Sequence, residues 1–237
     1  MLYNFHMIKL FIADVSCFSN SELFNLSYSS LPDFRKEKVN KVRFSSDKNL
    51  ELGAGLILQY ALNELGINIS NVTFTAGKYG KPYLRDFPDI FFSLSHSGTK
   101  VACVVSDVET GCDIQYSQNS PKNYLKIAKR FFTGYEYSKL IDCLNSSLDD
   151  AEAKELFFQI WVLKESCIKA CGMGLSMPLN SFESLPETKR VNLTCNGSNQ
   201  FFFLKSYEPA PNYKCAIASI SDDFPAKAVE IDFTKKY

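Results

Sequence analysis

No surplus charge of either sign marks this chain: 26 lysines and arginines balance 26 aspartates and glutamates across 237 residues. Without a net field it has no bulk means of gathering nucleic acid or an anionic membrane, so any anionic ligand must be held by a local cluster. Histidine is scarce, with two residues, and tryptophan occurs once. The eight cysteines are scattered and include no Cys-x-x-Cys pair, which removes the usual zinc-ribbon and dithiol signatures. Cys167 and Cys171 lie one helical turn apart; with no second Cys/His pair to complete four zinc ligands, they read as packing residues. No apolar run approaches the roughly 18–20 residues of a membrane span, and no charged-then-apolar leader opens the chain. These absences predict a soluble, cytosolic protein with reduced, mostly buried thiols.

Proline, glycine and serine never concentrate, so no linker shows. The length suits one large domain or two small ones. The pattern predicts a strand at 9–15, a short basic helix at 34–44 and a strand at 72–75. A longer helix should run to about Leu65, capped by Ser45-Ser46-Asp47 and ended by Gly66. Leu52, Leu56, Ile57, Tyr60, Ala61 and Leu65 give that helix one apolar face. A glycine-proline turn follows at 77–82, then paired strands at 91–96 and 101–105 and another at 109–115. Helices at 122–132, 135–144 and 149–171 precede strands at 201–207 and 213–220. Helix-then-strands occurring twice predicts an α+β fold of two similar subdomains in a pseudo-twofold arrangement, 1–110 and 111–237, with the Asp113 segment at their seam. Ligand sites favour such seams.

The chemistry concentrates in three segments. In Trp161-Val-Leu-Lys-Glu-Ser-Cys-Ile-Lys169, Glu165 and Lys169 are four apart and share one helix face. Asp113 lies near the end of a strand, and Gln115 two residues on points to the same face. Two carboxylates with an amide oxygen and waters would suit Mg²⁺, which takes one or two carboxylates alongside substrate phosphate. The same residues also fit a plain surface pair between Glu165 and Lys169. Lys36, Lys38, Lys41 and Arg43 crowd the early helix, and Lys81 sits in the glycine-proline turn. They could clamp a diphosphate, or simply coat a solvated face.

His96 stands between Ser95 and Ser97. Adjacent strand residues point to opposite faces, which argues against a Ser-His hydrolase. The histidine remains either a phosphate donor or a structural residue. Gly172-x-Gly174 is too little for a dinucleotide fingerprint and fits the end of a helix. The aromatic residues do not alternate with basic ones, so no single-strand nucleic-acid platform appears.

Taken in order, these segments resemble the 4′-phosphopantetheinyl transferase superfamily, and in particular its two-lobed, monomeric type that activates peptide and polyketide synthetases. The carrying residues are Gly80-Lys81-Pro82, Phe92-Ser-Leu-Ser-His-Ser-Gly98, Gly111-Cys-Asp-Ile114, Arg130-Phe-Phe132 with Glu136, and Trp161-x-x-Lys-Glu-Ser166 with Lys169 and Gly172-x-Gly-Leu175. The similarity runs from about Arg35 to Ile220.

The resemblance implies transfer of the phosphopantetheine arm of coenzyme A to a serine of an apo acyl or peptidyl carrier protein, with release of 3′,5′-ADP. It implies Mg²⁺ held by Asp113 and Glu165. It places Lys38, Lys41, Arg43, Lys81, Ser95 and His96 around the nucleotide, and Lys169 beside the diphosphate. Asp113, Glu165 and Lys169 form the implied catalytic set, with Glu165 as base or base-orienter. Many relatives carry Glu where Gln115 stands, so Gln115 is a metal ligand of reduced charge or none. Carrier docking is expected around Phe131, Phe132 and Leu140. A metal-dependent phosphohydrolase of coenzyme A or nucleotides, and a non-catalytic coenzyme A-binding module, are the competing readings.

Overall fold

The computed structural model describes residues 8–119, 121–146 and 148–235. Residues 1–7, part of the segment read above as lacking a leader, lie outside them. The fold is α+β.

The first sheet is built on β1 (Lys9–Asp14), β4 (Phe91–Ser97), β5 (Lys100–Ser106) and β10 (Val229–Ile231), in the order β10-β1-β5-β4. Its centre is apolar on both faces, which explains the unbroken Leu10-Phe-Ile-Ala13 run. Phe11, Ala13, Val101, Cys103 and Val105 pack beneath α3 (Ser45–Asn63), which contributes Leu52, Leu56, Ile57 and Ala61. Leu10, Ile12, Ala102 and Val104 face the other way, onto Cys112, Ile114, Cys215 and Ile217 of the second sheet.

That second sheet comprises β6 (Thr110–Tyr116), β7 (Arg190–Cys195), β8 (Ser198–Tyr207) and β9 (Tyr213–Ser219), in the order β6-β9-β8-β7. Its outer face is covered by α6 (Ala151–Cys171), with Val162, Leu163 and Cys167 against Phe202, Leu204, Ala216 and Ala218. The layers therefore run helix, sheet, sheet, helix. Beside α6 lie α4 (Tyr124–Phe131) and α5 (Gly134–Ser146), joined to it by a cluster around Phe157 and Phe158. In the first half, α1 (Ser21–Ser29) and α2 (Asp33–Lys41) flank α3, and a small hairpin pairs β2 (Phe74–Ala76) with β3 (Pro82–Leu84).

Several expectations change on contact with the structure. Ser45-Ser46-Asp47 does not cap α3: the helix already starts at Ser45, and no side chain caps it. The chain's last strand, β10, returns to pair in parallel with β1, and Phe233 stacks on Phe18 in the first half's core. Cys171 and Cys195 form a disulfide, where all thiols were expected to be reduced. The end of α6 crosses the end of β7 and brings their Cα atoms within 5.4 Å, a meeting of residues 24 apart that no cysteine spacing signals. Cys167 is free and fully buried.

Candidate active site

The two sheets meet edge to edge where β4 runs beside β6, and serine side chains stitch the seam. Ile114 N donates to Ser95 Oγ at 3.3 Å, and Tyr116 N donates to Ser97 Oγ at 3.0 Å. Alternate residues of a strand share a face, so Ser93-x-Ser95-x-Ser97 presents a row of oxygens. Two of its hydroxyls satisfy amides on the free edge of β6. A buried unpaired amide costs on the order of 1–3 kcal/mol, so the repeat has a structural reason as well as a chemical one.

Along β6 the same alternation sends Cys112 and Ile114 into the apolar layer between the sheets and turns Gly111, Asp113 and Gln115 toward α6. Gly111 is where the helix touches down. A Cβ there would overlap Ser166 O and Ala170 N, so only glycine lets the helix backbone rest on the strand. This contact sets Lys169 over Asp113. Lys169 Nζ lies 2.6 Å from Asp113 Oδ1 and donates to Ser95 Oγ at 2.9 Å. Ser95 donates to Asp113 Oδ1 at 2.6 Å, and Gln115 Nε2 donates to Asp113 Oδ2 at 3.0 Å. Asp113 is buried. Lys169 therefore pairs with Asp113 of β6, a partner that the helix spacing of Glu165 and Lys169 did not point to.

Glu165, one helical turn before Lys169, is the unusual acid. Burial and the negative charge of Asp113 raise its pKa to about 7, against a smaller lowering by Lys169. Burial acts most strongly against the Lys169 ammonium, but Asp113, Cys112 and Glu165 together hold its pKa above the ordinary lysine value. α6 then ends at Gly172, which takes up the left-handed conformation (φ 71°) that closes a helix.

Beside this group opens a cleft of about 270 Å³, lined among others by Lys38, Tyr79, Gly80, Lys81, Ser93 and Lys169. Of the early basic cluster, Lys38 reaches the cleft wall, whereas Lys41 and Arg43 are exposed at the end of α2 and just beyond it. Ser95 has spent its bonding capacity: it donates once, to Asp113, and accepts from Lys169 and Ile114. His96 projects to the opposite face of β4, exposed, with desolvation and the Lys169 charge lowering its pKa against the pull of Glu51 and Asp113. The opposite pointing of Ser95 and His96 rules out a serine–histidine pair there. Lys81 is held by Glu109, Thr110 and Ala170.

Phe132 and Leu140, expected on a docking surface, are 3% and 0% exposed. They pack with Phe157 in the cluster between α5 and α6, so those two are withdrawn from the docking surface, while Phe131 is half-buried with its ring against Trp161. Two acids carry weight here whose partners the sequence did not reveal. Glu109 is the partner of Lys81, and Glu136 is the buried partner of Lys164. The second had a signal: Lys164 sits among Val162, Leu163, Ser166 and Cys167 on the buried side of α6, where a lysine needs an anion.

Comparisons with known proteins agree with this geometry. Residues 109–218 match the model of the 4′-phosphopantetheinyl transferase superfamily, and residues 19–108 match that of the 4′-phosphopantetheinyl transferase N-terminal region. The chain is 33% identical to the 4′-phosphopantetheinyl transferase Sfp of Bacillus subtilis over 201 residues, covering 84% of this chain and 86% of that one. It is 31% identical to the 4′-phosphopantetheinyl transferase gsp of Aneurinibacillus migulanus, covering 90% and 86%. A mouse L-aminoadipate-semialdehyde dehydrogenase-phosphopantetheinyl transferase is 28% identical over 67% of this chain and 53% of its own. A seam bearing Asp113, Glu165 and Lys169, matched by both family models across it, makes this chain a member of the 4′-phosphopantetheinyl transferase superfamily.

Proposed function

We propose that the protein transfers the 4′-phosphopantetheine arm of coenzyme A to a serine hydroxyl of an apo acyl or peptidyl carrier protein, releasing 3′,5′-ADP. The observation that carries this reading is the ion pair of buried Asp113 with half-buried Lys169, with Glu165 one turn away, beside a cleft walled by Lys38, Lys81 and Lys169.

In the reaction the carrier serine oxygen bonds to the pantetheine-side phosphorus. The bond from that phosphorus to the oxygen bridging to the adenosine-side phosphate breaks, and the charge leaves with 3′,5′-ADP. Glu165 takes the serine proton or orients the group that does, standing one helical turn from Lys169. Lys169, on the cleft wall, donates to the diphosphate as charge develops there. Lys38 at the cleft wall supplies a cation for the nucleotide phosphates, and the exposed Lys41, Arg43 and His96 are the outer donors proposed for them. Ser95 orients the Lys169–Asp113 pair through its hydroxyl.

The residues suit Mg²⁺. Among the described residues no group of three or more His, Cys, Asp or Glu could hold a metal ion. Mg²⁺ does not require one, because it binds through one or two carboxylates together with substrate phosphate and water. Asp113 and Glu165 are those carboxylates, and the amide oxygen of Gln115 is the third, uncharged candidate. When bound, the cation neutralises charge on the diphosphate.

Residues from both halves of a single chain complete the site, which supports action as a monomer. Balanced charge supports the absence of a nucleic-acid or membrane partner, and the two substrates support a cytoplasmic location. No helix among the described residues is long and apolar enough to cross a membrane.

Intact mass of an apo carrier protein, incubated with this protein, coenzyme A and Mg²⁺, tests the reading. The expected result is a gain of one phosphopantetheine group, lost with EDTA and with Glu165→Ala. Hydrolysis of coenzyme A without carrier, or binding without turnover across several carrier types, would overturn it.

A further inference from the structure

The turn joining β2 to β3 leans over the cleft, with Tyr79 and Gly80 in its wall. The turn is closed on itself: Gly77 N donates to Lys81 O at 2.8 Å, and Gly80 N donates to Gly77 O at 2.9 Å. Its last residue reaches across to the other half of the molecule. Lys81 Nζ donates to the carboxylate of Glu109, to Thr110 O at 3.2 Å and to Ala170 O at 2.8 Å. An ammonium has three N–H donors, and here each has an acceptor.

The Lys81 side chain is 7% exposed. Its stem passes Gly172, where a Cβ would press against Lys81 Cδ at 3.1 Å and Tyr83 Oη at 3.2 Å. Tyr83 Oη also donates to Glu109 Oε1 at 3.4 Å. Glu109 is itself fixed, since its carbonyl accepts from Ser219 Oγ and Ile220 N, each at 3.2 Å. Two elements are thereby held to one another: the turn that walls the cleft, and the last turn of α6, which carries Lys169. A phosphate reaching Lys81 would first have to displace a carboxylate and two carbonyls.

We propose that Lys81 is a positioning residue which, with Glu109, pins the 77–81 turn to the end of α6 and so sets the shape of the nucleotide cleft without itself touching the phosphate. The inference rests on the coenzyme A reading of that cleft.

The two roles give Glu109 opposite effects. If Lys81 gripped the phosphate, Glu109 would compete for it, and removing the carboxylate would leave binding unchanged or tighten it. If Lys81 pins the turn, Glu109 is its anchor, and Glu109→Gln must weaken binding as Lys81→Met does. Titration calorimetry of coenzyme A and of dephospho-coenzyme A, with Mg²⁺, on wild type, both single variants and the double variant separates them.

The expected result is a loss of about tenfold for each single variant, of the size one charged hydrogen bond supplies. The double should be no weaker than the worse single, as partners in one interaction require. Both ligands should lose by the same factor, and KM for coenzyme A should rise while kcat moves little. Weakening of coenzyme A alone in Lys81→Met, or unaltered or tighter binding in Glu109→Gln, overturns the proposal. So does a lower melting temperature with wild-type affinity, which would reduce the pin to stability alone. Glu109 is partly exposed and Gln nearly isosteric, so this variant should fold even if Lys81→Met does not. Failure of wild type to bind coenzyme A would instead strike the reading of the cleft, and the pin's role in it with that reading.

Discussion

Glu136 and Lys164 form an ion pair at 2.8 Å, with both side chains fully buried. Neither charge has water to solvate it, so each must be satisfied from within the protein. Lys164 Nζ also donates to Leu179 O at 2.8 Å and Phe182 O at 2.7 Å. Glu136 accepts from Thr133 N at 2.8 Å and Ser184 N at 2.6 Å. The pair thus ties α5, α6 and the 179–184 segment together, one residue away from Glu165. Of the two neighbours in the Lys164-Glu165 sequence, the lysine holds the helix in its rotation and the carboxylate faces the chemistry.

Lys164→Met leaves a buried carboxylate without its cation and should cost about 3–5 kcal/mol in urea unfolding. Pairing it with Glu136→Leu should not restore wild-type stability. Thr133 N, Ser184 N, Leu179 O and Phe182 O would all lose partners that a purely ionic pair does not have. Full recovery in the double variant would show that these backbone bonds contribute nothing.

Gly111→Ala is the smallest change that should disconnect the helix from the strand. The added methyl overlaps backbone atoms of Ser166 and Ala170, which cannot swing aside as a side chain does. Overpacking of this kind costs about 1–3 kcal/mol. The larger effect should fall on catalysis, because the shift moves Glu165 and Lys169 together relative to Asp113. The expected outcome is a folded protein whose kcat falls at least tenfold, since small misplacements of reacting groups carry penalties of ~10²-fold. Unchanged kcat at reduced stability would mean that the site tolerates the displacement.

Much of this was open to a reader of the sequence, and the remainder has identifiable causes. The i, i+4 spacing of Glu165 and Lys169 and the two-residue alternation of Asp113 and Gln115 follow from helix and strand geometry, and the structure puts both pairs on shared faces. What spacing cannot state is which elements meet. The edge contact of β4 with β6 makes Ser95 an internal joint, and the crossing of α6 over β7 joins Cys171 to Cys195. β7 did carry a signal, since Val191, Leu193 and Cys195 alternate with exposed residues. β3 and β10 are three residues each, too short for any period to register. Phe132 and Leu140 looked available because an apolar residue near a seam reads the same whether it packs or docks.

Glu165 should also leave a mark on stability before any ligand is added. Its pKa rises from 4.5 to about 7 on folding, so the folded chain binds more protons than the unfolded chain between those values. Stability without Mg²⁺ should therefore be greatest at or below pH 4.5 as far as this group is concerned, fall as pH rises toward 7, and level off above it. Glu165→Gln, which cannot ionise, should remove that slope and stabilise the ligand-free protein above pH 7. Thermal melts from pH 5 to pH 8 in EDTA, wild type against variant, read the difference. Parallel curves would show that Glu165 is as free to ionise in the fold as out of it.

Gln115→Glu probes the uncharged position beside Asp113 on β6. At present the Gln115 amide donates to Asp113 and leaves the site with two carboxylates where a Glu would give three. The substitution removes a donor from Asp113 and places a third negative charge beside Asp113 and Glu165. Without Mg²⁺ this repulsion has no compensation, so the variant should be less stable than wild type in EDTA. With Mg²⁺ the added charge strengthens the hard oxygen set, as cation affinity follows ligand charge. The Mg²⁺ concentration giving half-maximal transfer should then drop severalfold, and the melting temperature should climb more steeply with added Mg²⁺ than in wild type. If both Mg²⁺ responses match wild type, residue 115 lies outside the reach of the cation, and Asp113 and Glu165 hold it with substrate and water alone.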